Sequence, residues 1–297
     1  METQNIFDRG VAKVRSVVSD MSVEQREFIR AISRFCNDAW LLGWHEGAAG
    51  ALSYRLSFDE AAASRSYFGE PYGEWLPLGI RAAGLQGECF AVNGAGVNFR
   101  NIAAEPLAGL GIVEVNATGD AYRSAWGFKA GGPVTNEFVS HFMYHAVRKA
   151  VTSGACRVVY HAHPAHVAAL GLVLPDDSQA WSRTLWHSLD TCVALFPEGV
   201  GIAGPPEAGQ AEAAETTSAL MERFSTVVWP HHGVFCSAVD LNAALAAMQA
   251  LDKAAAVYLE ARAANGGRQD GLQTTTDAQL RTLAQGVGVT LRPEYLG

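Results

Sequence analysis

Two short histidine motifs contain the side chains best suited to hold a metal ion. His161 and His163 lie two residues apart in RVVYHAH, and His231 and His232 follow the apolar run VVW and a proline. Because side chains alternate along a strand, both imidazoles of the first motif are expected on one face. A catalytic zinc site uses about three protein ligands and keeps one position open. The two motifs together predict one metal site, although position alone does not decide whether His231 or His232 is the third ligand.

A competing histidine pair lies on a predicted helix. Glu137, His141 and His145 are spaced four residues apart and therefore share one helix face. An HxxxH pair can bind zinc, but a polar helix face is the favoured interpretation of this spacing. Glu137 follows a Gly/Pro turn at the helix start, where exposed amides favour an anion. It is either a helix-start carboxylate or a group directed into a cleft, and spacing does not separate these roles.

The other metal-capable side chains receive no direct role. His45, His166 and His187 are isolated in the sequence, so we expect them at the surface or behind a site. The five cysteines are widely spaced and lack CxxC pairing, which is typical of reduced, buried thiols.

Composition narrows the class of partner. The chain has 297 residues and a net charge of −8, and it contains no lysine- and arginine-rich stripe that could neutralise nucleic-acid phosphates. Its apolar runs are too short to span a bilayer, and its N-terminal sequence does not resemble a signal peptide. We therefore expect a cytoplasmic protein with a small-molecule substrate, and neither a nucleic acid nor a membrane as its partner.

The elements that must position these side chains alternate between helical and strand periodicity. Residues 22–42 have a helical apolar pattern, and residues 51–58 have the composition of a strand. Residues 59–75 are mixed and carry Gly and Pro, which predicts a surface insertion with a short helix. ECFAVNG and GIVEVNATGDAYRSAWGF predict strands, the latter two joined by a turn at residues 117–120.

Helices dominate the second half of the chain. They are predicted over residues 136–152, 165–174, 180–189, 210–224 and 241–263, with strands at RVVYHAH and STVVWPHHG. Strands flanked by helices without a βαβ repeat indicate an α/β fold. We predict one three-layer α/β/α domain over residues 1–297, with a central, mainly antiparallel sheet and residues 272–297 as a C-terminal extension.

At these motifs the chain resembles the class II aldolase/adducin family, most closely its rhamnulose-1-phosphate aldolase branch. The resemblance covers nearly the whole chain. It includes DAWLLGWHE, LSYRL, FAVNGAGVNFRNI, LGIVEV, WG, PVTNEFVSHF, RVVYHAHPAHVAAL, RTLWHSLDTC, FPEGVGI and VVWPHHGVF. Each segment is short, but their combination is specific.

The resemblance implies a zinc-dependent lyase with a defined site. His161, His163 and His232 would bind zinc, or another divalent metal, and Glu137 would transfer the proton. The reaction would be the reversible retro-aldol cleavage of a ketose or ketose 1-phosphate into dihydroxyacetone, free or phosphorylated, and a short hydroxyaldehyde such as lactaldehyde. The family also implies a homotetramer with its active site at a subunit interface. The family's substrate-binding positions fall on Gly50, Gly94, Gly96, Thr135 and Asn136.

Several positions depart from the family's phosphate pocket. Ala48 and Ala51 stand where the family has asparagines, and Ala95 stands where it has a hydroxyl. A phosphate dianion needs several charge-assisted donors, so these changes leave a non-phosphorylated substrate open. An acidic residue that the branch contributes from a neighbouring subunit falls near Thr191, and Asp190 could replace it.

Other functions remain open on the same residues. An epimerase, a decarboxylase or another metal-enolate enzyme acting on a non-phosphorylated substrate could use this site. An iron oxygenase could use the same histidines, since imidazole also binds Fe(II). A non-catalytic module of the adducin type is disfavoured because all three histidines are present.

Overall fold

Nine strands form one sheet within the residues that the computed structural model describes, namely 23–68, 73–128, 132–204 and 210–297. The strands are β1 (Ala51–Arg55), β2 (Leu76–Pro77), β3 (Cys89–Asn93), β4 (Leu110–Val115), β5 (Ala121–Gly127), β6 (Val158–Ala162), β7 (Gly201–Ile202), β8 (Thr226–Trp229) and β9 (Gly233–Ala238). Their order is β2-β5-β4-β3-β1-β6-β9-β8-β7. Every pairing is antiparallel except that of β7 with β8, so the predicted mainly antiparallel sheet is confirmed.

The α-helices of the described ranges cover both faces of this sheet. They are α1 (Glu27–Leu41), α2 (Phe58–Ser64), α3 (Phe99–Ile102), α4 (Pro106–Gly109), α5 (Phe138–Val151), α6 (Ala165–Gly171), α7 (Ser178–Ser188), α8 (Thr191–Leu195), α9 (Gln210–Leu220), α10 (Leu241–Ala264) and α11 (Asp277–Val287). Short 3-10 turns are formed by Val23–Gln25, Arg65–Tyr67 and Pro293–Tyr295. None of the helices described here has the length and apolar character needed to cross a membrane.

The layers follow from the alternation of side chains along the strands. Phe90 and Val92 of β3 pack with Phe138 and Phe142 of α5 on one face of the sheet. On the other face, α10 contacts β6 and β9 and also packs against α1, α6, α7 and α8. Asp240 caps α10, because its carboxylate accepts a hydrogen bond from Ala243 N at 2.8 Å. The central strands are therefore buried on both faces, as predicted for a three-layer α/β/α fold.

Most predicted elements are present, and three strands were missed. The helix predicted from residue 22, which lies outside the described residues, starts instead at Glu27 after a 3-10 turn. The first strand ends at Arg55, because Ser57 caps α2 there with Glu60 in a capping box. The sequence prediction placed no strand at β2, at β7 or at β9. These omissions were wrong, since all three belong to the sheet and β9 lies between β6 and β8.

The predicted insertion lies at the end of the sheet opposite the histidine motifs. Residues 69–72 of this segment are outside the described ranges. Glu60 of α2 accepts hydrogen bonds from Tyr54 Oη at 2.9 Å and from Arg157 at 2.8 Å. These partners lie at the end of β1 and just before β6, whereas His161 lies near the other end of β6. The described part of the insertion therefore does not cover the histidines.

Candidate metal centre and active site

His161 and His163 lie at the end of the central strand β6. His161 is buried and pairs across the sheet with Ala51 of β1 and Phe235 of β9. His163 follows the strand, and its backbone N–H donates to Trp44 O at 3.0 Å. The ring centroids of the two histidines are 5.0 Å apart. The structure therefore places both rings on one face of the sheet, as the two-residue spacing predicts.

His232 reaches these rings from the hairpin turn between β8 and β9. His231 has a φ of 64°, in the left-handed region, and the backbone N–H of His232 donates to Trp229 O at 3.0 Å. A Cβ at Gly233 would lie 2.6 Å from Ala162 O and 2.9 Å from His161 Nε2. Glycine is thus required for the hairpin to approach β6, and the turn selects His232 over His231.

The three imidazoles form the one group of potential metal donors found among the described residues. Nitrogen atoms of His161, His163 and His232 all lie within 4.8 Å of one another. Nε2 of His161 and Nε2 of His163 are buried and have no hydrogen-bond partner within the described ranges. Buried polar atoms without a partner are rare, and here they converge on one point. This donor set fits a divalent cation that prefers imidazole nitrogen.

Two carboxylates fix the orientation of the first two rings. Nδ1 of His161 lies 2.6 Å from Glu137 Oε2, and Nδ1 of His163 lies 2.6 Å from Glu46 Oε1. A carboxylate accepts the Nδ1–H of a neutral imidazole, which leaves Nε2 as a lone-pair donor for a metal. Each carboxylate therefore selects the tautomer that a metal ligand needs.

Glu137 lies at the N-terminus of α5 with its side chain 29% exposed. Burial raises the pKa of this carboxyl, but the neighbouring His161 and His141 side chains outweigh it and hold the pKa below its usual value. The carboxylate is therefore ionised at neutral pH. Glu137 is not one of the converging metal donors, since its Oε2 contacts His161 from the Nδ1 side.

A cavity of about 250 Å³ joins the imidazoles to Glu137. It is lined by Ala49, Gly50, Asn136, Glu137, Ser140, His161, His163, Trp229, His232 and Phe235. The predicted residues Gly50, Asn136, Glu137 and the three histidines thus meet around one space. Neither lysine nor arginine occurs among these lining residues.

Other predicted substrate contacts do not line this cavity. Gly94 forms a bridge with Val134, which places the second glycine loop beside Thr135. Thr135 is buried, and its backbone N–H donates to Asn93 O at 3.1 Å. Gly96 lines a different depression, and Asp190 is an exposed residue at the start of α8. The binding roles of Gly94, Gly96, Thr135 and Asp190 stay predictions.

The first glycine turn is packed directly against the metal centre. Gly50 has a φ of 86°, and a Cβ there would lie 2.4 Å from His45 Nδ1 and 2.8 Å from His161 O. His45 is buried, with Nε2 2.7 Å from Tyr160 Oη and Nδ1 2.9 Å from Ala49 O. Burial lowers the pKa of His45 to about 4. His45 is thus a neutral support beneath the turn.

The helix pair His141 and His145 does not join the metal donors. Both residues are fully buried against the sheet, so they do not form the polar surface face that the sequence favoured. Ser53 Oγ of β1 lies 2.7 Å from His141 Nδ1 and 2.9 Å from His145 Nε2. The competing metal pair is therefore engaged in hydrogen bonds inside the protein.

Five residues of this region were not predicted from the sequence as site residues, and one of them is Ala49, which lines the cavity. Glu46 lies in GWHEG, directly after α1, and its acidic side chain beside a glycine turn was the only local indication of a role. Phe235 stacks on His161 with ring centroids 4.1 Å apart. Trp229 lines the cavity and donates through Nε1 to Thr217 Oγ1 at 2.7 Å, and Ser140 lies one turn into α5. In the sequence, Phe235, Trp229 and Ser140 lie in apolar or helical segments that resemble ordinary core, so the sequence did not indicate a role for them.

The arrangement can hold one divalent cation beside an ionised carboxylate in a small cavity. Such a cation, when bound, would act as a Lewis acid on a carbonyl or hydroxyl oxygen of a bound molecule. The carboxylate could remove or return a proton at an adjacent carbon.

Comparison with known proteins places the whole sheet and its histidines in one family. The sequence model of the Class II Aldolase and Adducin N-terminal domain matches residues 30–259. Rhamnulose-1-phosphate aldolase of Escherichia coli O157:H7 (strain EC4115 / EHEC) is 33% identical over 269 residues, covering 91% of this chain and 96% of its own. The enzyme of the same name from Pectobacterium carotovorum subsp. carotovorum (strain PC1) is 34% identical over 265 residues, covering 89% and 94%.

Solved structures share the fold. A sugar-phosphate aldolase from Thermotoga maritima has a TM-score of 0.67 at 23% identity, covering 83% of this chain and 98% of its own. An L-fuculose 1-phosphate aldolase has a TM-score of 0.55 at 15% identity, covering 89% and 97%.

Proposed function

The chain belongs to the class II aldolase and adducin family, and from this premise we propose that it is a zinc-dependent aldolase, a lyase that cleaves a ketose or ketose 1-phosphate. The products would be dihydroxyacetone, free or phosphorylated, and a short hydroxyaldehyde such as lactaldehyde. One observation carries the proposal: three imidazoles, whose nitrogen atoms lie within 4.8 Å of one another, share a cavity with an ionised carboxylate. The names of the two curated relatives support a substrate resembling rhamnulose 1-phosphate.

Zinc is the metal we propose because the three donors are imidazole nitrogens, which zinc binds readily. Structural zinc sites take four protein ligands, whereas catalytic sites take three and leave a position for water or substrate. The metal would be held by His161, His163 and His232, and would polarise the ketose carbonyl when bound. Glu46 and Glu137 would keep the first two rings in the tautomer that can ligate.

Glu137 is the group we propose for proton transfer. Its Oε2 accepts from His161 Nδ1–H, while the residue itself lines the cavity. Oε1 is thereby left for the substrate. In the cleavage direction, Glu137 would return a proton to the carbon from which the aldehyde has departed, and in the synthetic direction it would remove that proton.

The cavity also bears on whether the substrate is phosphorylated. Ala48 is exposed, Ala51 is buried, and neither lysine nor arginine lines the cavity, so its lining residues offer a phosphate no lysine or arginine side chain. We therefore include a non-phosphorylated ketose in the proposed substrate range. The same feature leaves an epimerase or decarboxylase acting on a non-phosphorylated substrate as the alternative function. We further propose a cytoplasmic homotetramer on the basis of the family resemblance.

The test uses the metal-loaded protein with two donors. Dihydroxyacetone and dihydroxyacetone phosphate are each incubated with L-lactaldehyde, and products are followed by mass spectrometry. Glu137→Ala is the control, and its rate should fall by about 10²- to 10⁴-fold. Product from the free ketone would show an aldolase that does not require phosphate, whereas product from the phosphate alone would show a sugar-phosphate aldolase. Absence of product from both donors would contradict the aldolase proposal and favour the alternative function.

A further inference from the structure

Three buried polar side chains, those of His141, Ser53 and His145, form a series of hydrogen bonds behind Glu137. His141 and His145 follow Glu137 by four and eight residues, and the first backbone hydrogen bond of α5 joins His141 N to Glu137 O at 3.0 Å. The helix itself therefore fixes the separation of the two side chains. The side chain of His141 is fully buried, and its Nε2 lies 3.8 Å from Glu137 Oε2. No hydrogen-bond partner of this nitrogen is found among the described residues.

Ser53 connects the two histidines and determines which atoms donate and which accept in the hydrogen bonds between them. Its Oγ lies 2.7 Å from His141 Nδ1, 2.9 Å from His145 Nε2 and 3.5 Å from Val159 O. A hydroxyl has one proton to donate and lone pairs that accept. Burial lowers the pKa of both histidines, so each ring is neutral and carries one N–H.

The carboxylate decides among the possible arrangements of these protons. If Ser53 donated to Val159 O or to His145 Nε2, His141 would donate to Ser53 through Nδ1 and would direct a lone pair at the Glu137 carboxylate. If His145 donates to Ser53 and Ser53 donates to His141 Nδ1, then Nε2–H of His141 points at Glu137. This last arrangement uses the shorter contact and avoids lone-pair repulsion, so it is the favoured one.

Glu137 Oε2 is then approached from two sides. His161 Nδ1–H donates to it from the sheet at 2.6 Å, and His141 Nε2–H faces it from the helix at 3.8 Å. The second contact is longer than a hydrogen bond, as catalytic contacts often are before substrate is bound. Both rings thus face Oε2, which restrains the carboxylate, and neither of these two contacts is made to Oε1.

We propose that His141 is a positioning residue, held by Ser53 and His145, that orients the Glu137 carboxylate for proton transfer. This inference rests on the proposed function, because it assigns His141 a part in the same reaction. His141 does not contact the cavity and is not a metal ligand. It acts through Glu137 alone.

Two substitutions separate positioning from packing. In His141→Gln the amide nitrogen occupies the place of Nε2, so the donor to Glu137 is kept and the bond to Ser53 is lost. In His141→Asn the amide occupies the place of Nδ1, so the bond to Ser53 is kept and the donor to Glu137 is lost. Because misplacing a reacting group by about 1 Å can lower a rate about 100-fold, His141→Asn should lower kcat by about 10- to 100-fold. KM and metal content should change little, and His141→Gln should retain more kcat than His141→Asn.

The opposite order, or an equal loss of kcat in both variants, would overturn the proposal, because a purely structural role depends on Ser53 rather than on Glu137. A second measurement does not depend on activity. In the metal-loaded protein labelled with ¹⁵N-histidine, the Nε2–H resonance of His141, assigned from its contacts with the Phe235 ring, should shift upfield in Glu137→Gln. An unchanged resonance overturns the proposed contact even if the protein is an aldolase. If the wild-type chain has no aldol activity, the proposed function fails while the resonance still tests the contact.

Discussion

Two groups of histidines lie close to Glu137 and the glycine turn, and they differ in what their ring nitrogens contact. In the cleft group, His161 and His163 use Nδ1 to donate to carboxylates, and their Nε2 atoms have no partner in the described part of the chain. In the closed group, His45 has both ring nitrogens in hydrogen bonds, and His141 and His145 share Ser53. The two groups differ in the nitrogen that could face a metal: a close pair of histidines can serve as metal donors only where one ring nitrogen of each has no partner, while an acceptor holds the other.

The largest effect should come from removing a cleft histidine. His163→Ala deletes one of three metal donors, and since losing an outer-shell partner already lowers metal affinity about 10- to 100-fold, losing a ligand should lower it by more than about 100-fold. Metal content and affinity would be measured by competition with a chelator. His166→Ala is the control, because His166 is half exposed and contacts Asp252 instead of the cleft. Unchanged metal affinity in His163→Ala would remove the basis for the cleft group.

Substitutions in the closed group should lower the free energy of unfolding and leave metal affinity unchanged. Ser53→Ala leaves His141 Nδ1 and His145 Nε2 without their shared partner, and an unsatisfied buried group lowers the free energy of unfolding by about 1–3 kcal/mol. Denaturant unfolding measures this loss. Ser237→Ala is a matched control, because Ser237 is similarly buried in β9 but its Oγ has no hydrogen-bond partner among the residues described. Equal destabilisation by both substitutions would contradict the role given to the Ser53 hydrogen bonds.

Removing the carboxylate that orients His163 should lower metal affinity less than removing His163 itself. Glu46→Ala frees His163 Nδ1, which weakens the preference for the ligating tautomer and should lower metal affinity by about 10- to 100-fold. Glu27→Ala is the control, since Glu27 is exposed and pairs with Arg34. If both variants bind metal as tightly as wild type, the outer carboxylate does not distinguish the two groups.

The buried His45 of the closed group should make stability depend on pH. His45 has a pKa of about 4 in the folded protein and an ordinary pKa of 6.5 in the unfolded chain, so only the unfolded chain binds its proton between these values. The free energy of unfolding should therefore fall as the pH drops from about 6.5 to about 4, by up to about 1.4 kcal/mol per pH unit for this residue, and it should not fall further for this residue below that range. Chemical unfolding across this range, compared with His45→Gln, measures the contribution. A slope identical in His45→Gln would show that His45 titrates alike in both states.

Much of the site could be predicted because its residues are close in sequence. The two-residue spacing of His161 and His163 determines that they share a face of β6, whatever surrounds the strand. The four-residue spacing of Glu137 and His141 likewise determines that they share a face of α5. Helical periodicity also located α10 to within one residue of its end, since the apolar positions of a helix repeat regularly.

Other features could not be predicted because they depend on contacts between distant segments. The strand β9 is a short apolar run after the hairpin, and sequence periodicity does not tell a short buried strand from other core. Glu46 is 117 residues away from His163, and no local pattern links them.

Local sequence patterns fix which side chains share a strand or helix face, and together with the family resemblance they predict His161, His163, His232 and Glu137 as site residues. Contacts between distant segments establish that the turn at His231 directs His232 into the cleft, and that Ser53 engages the helix pair. The physical reason is that local spacing fixes the direction of a side chain, whereas the occupancy of each ring nitrogen depends on donors and acceptors that folding brings from elsewhere in the chain.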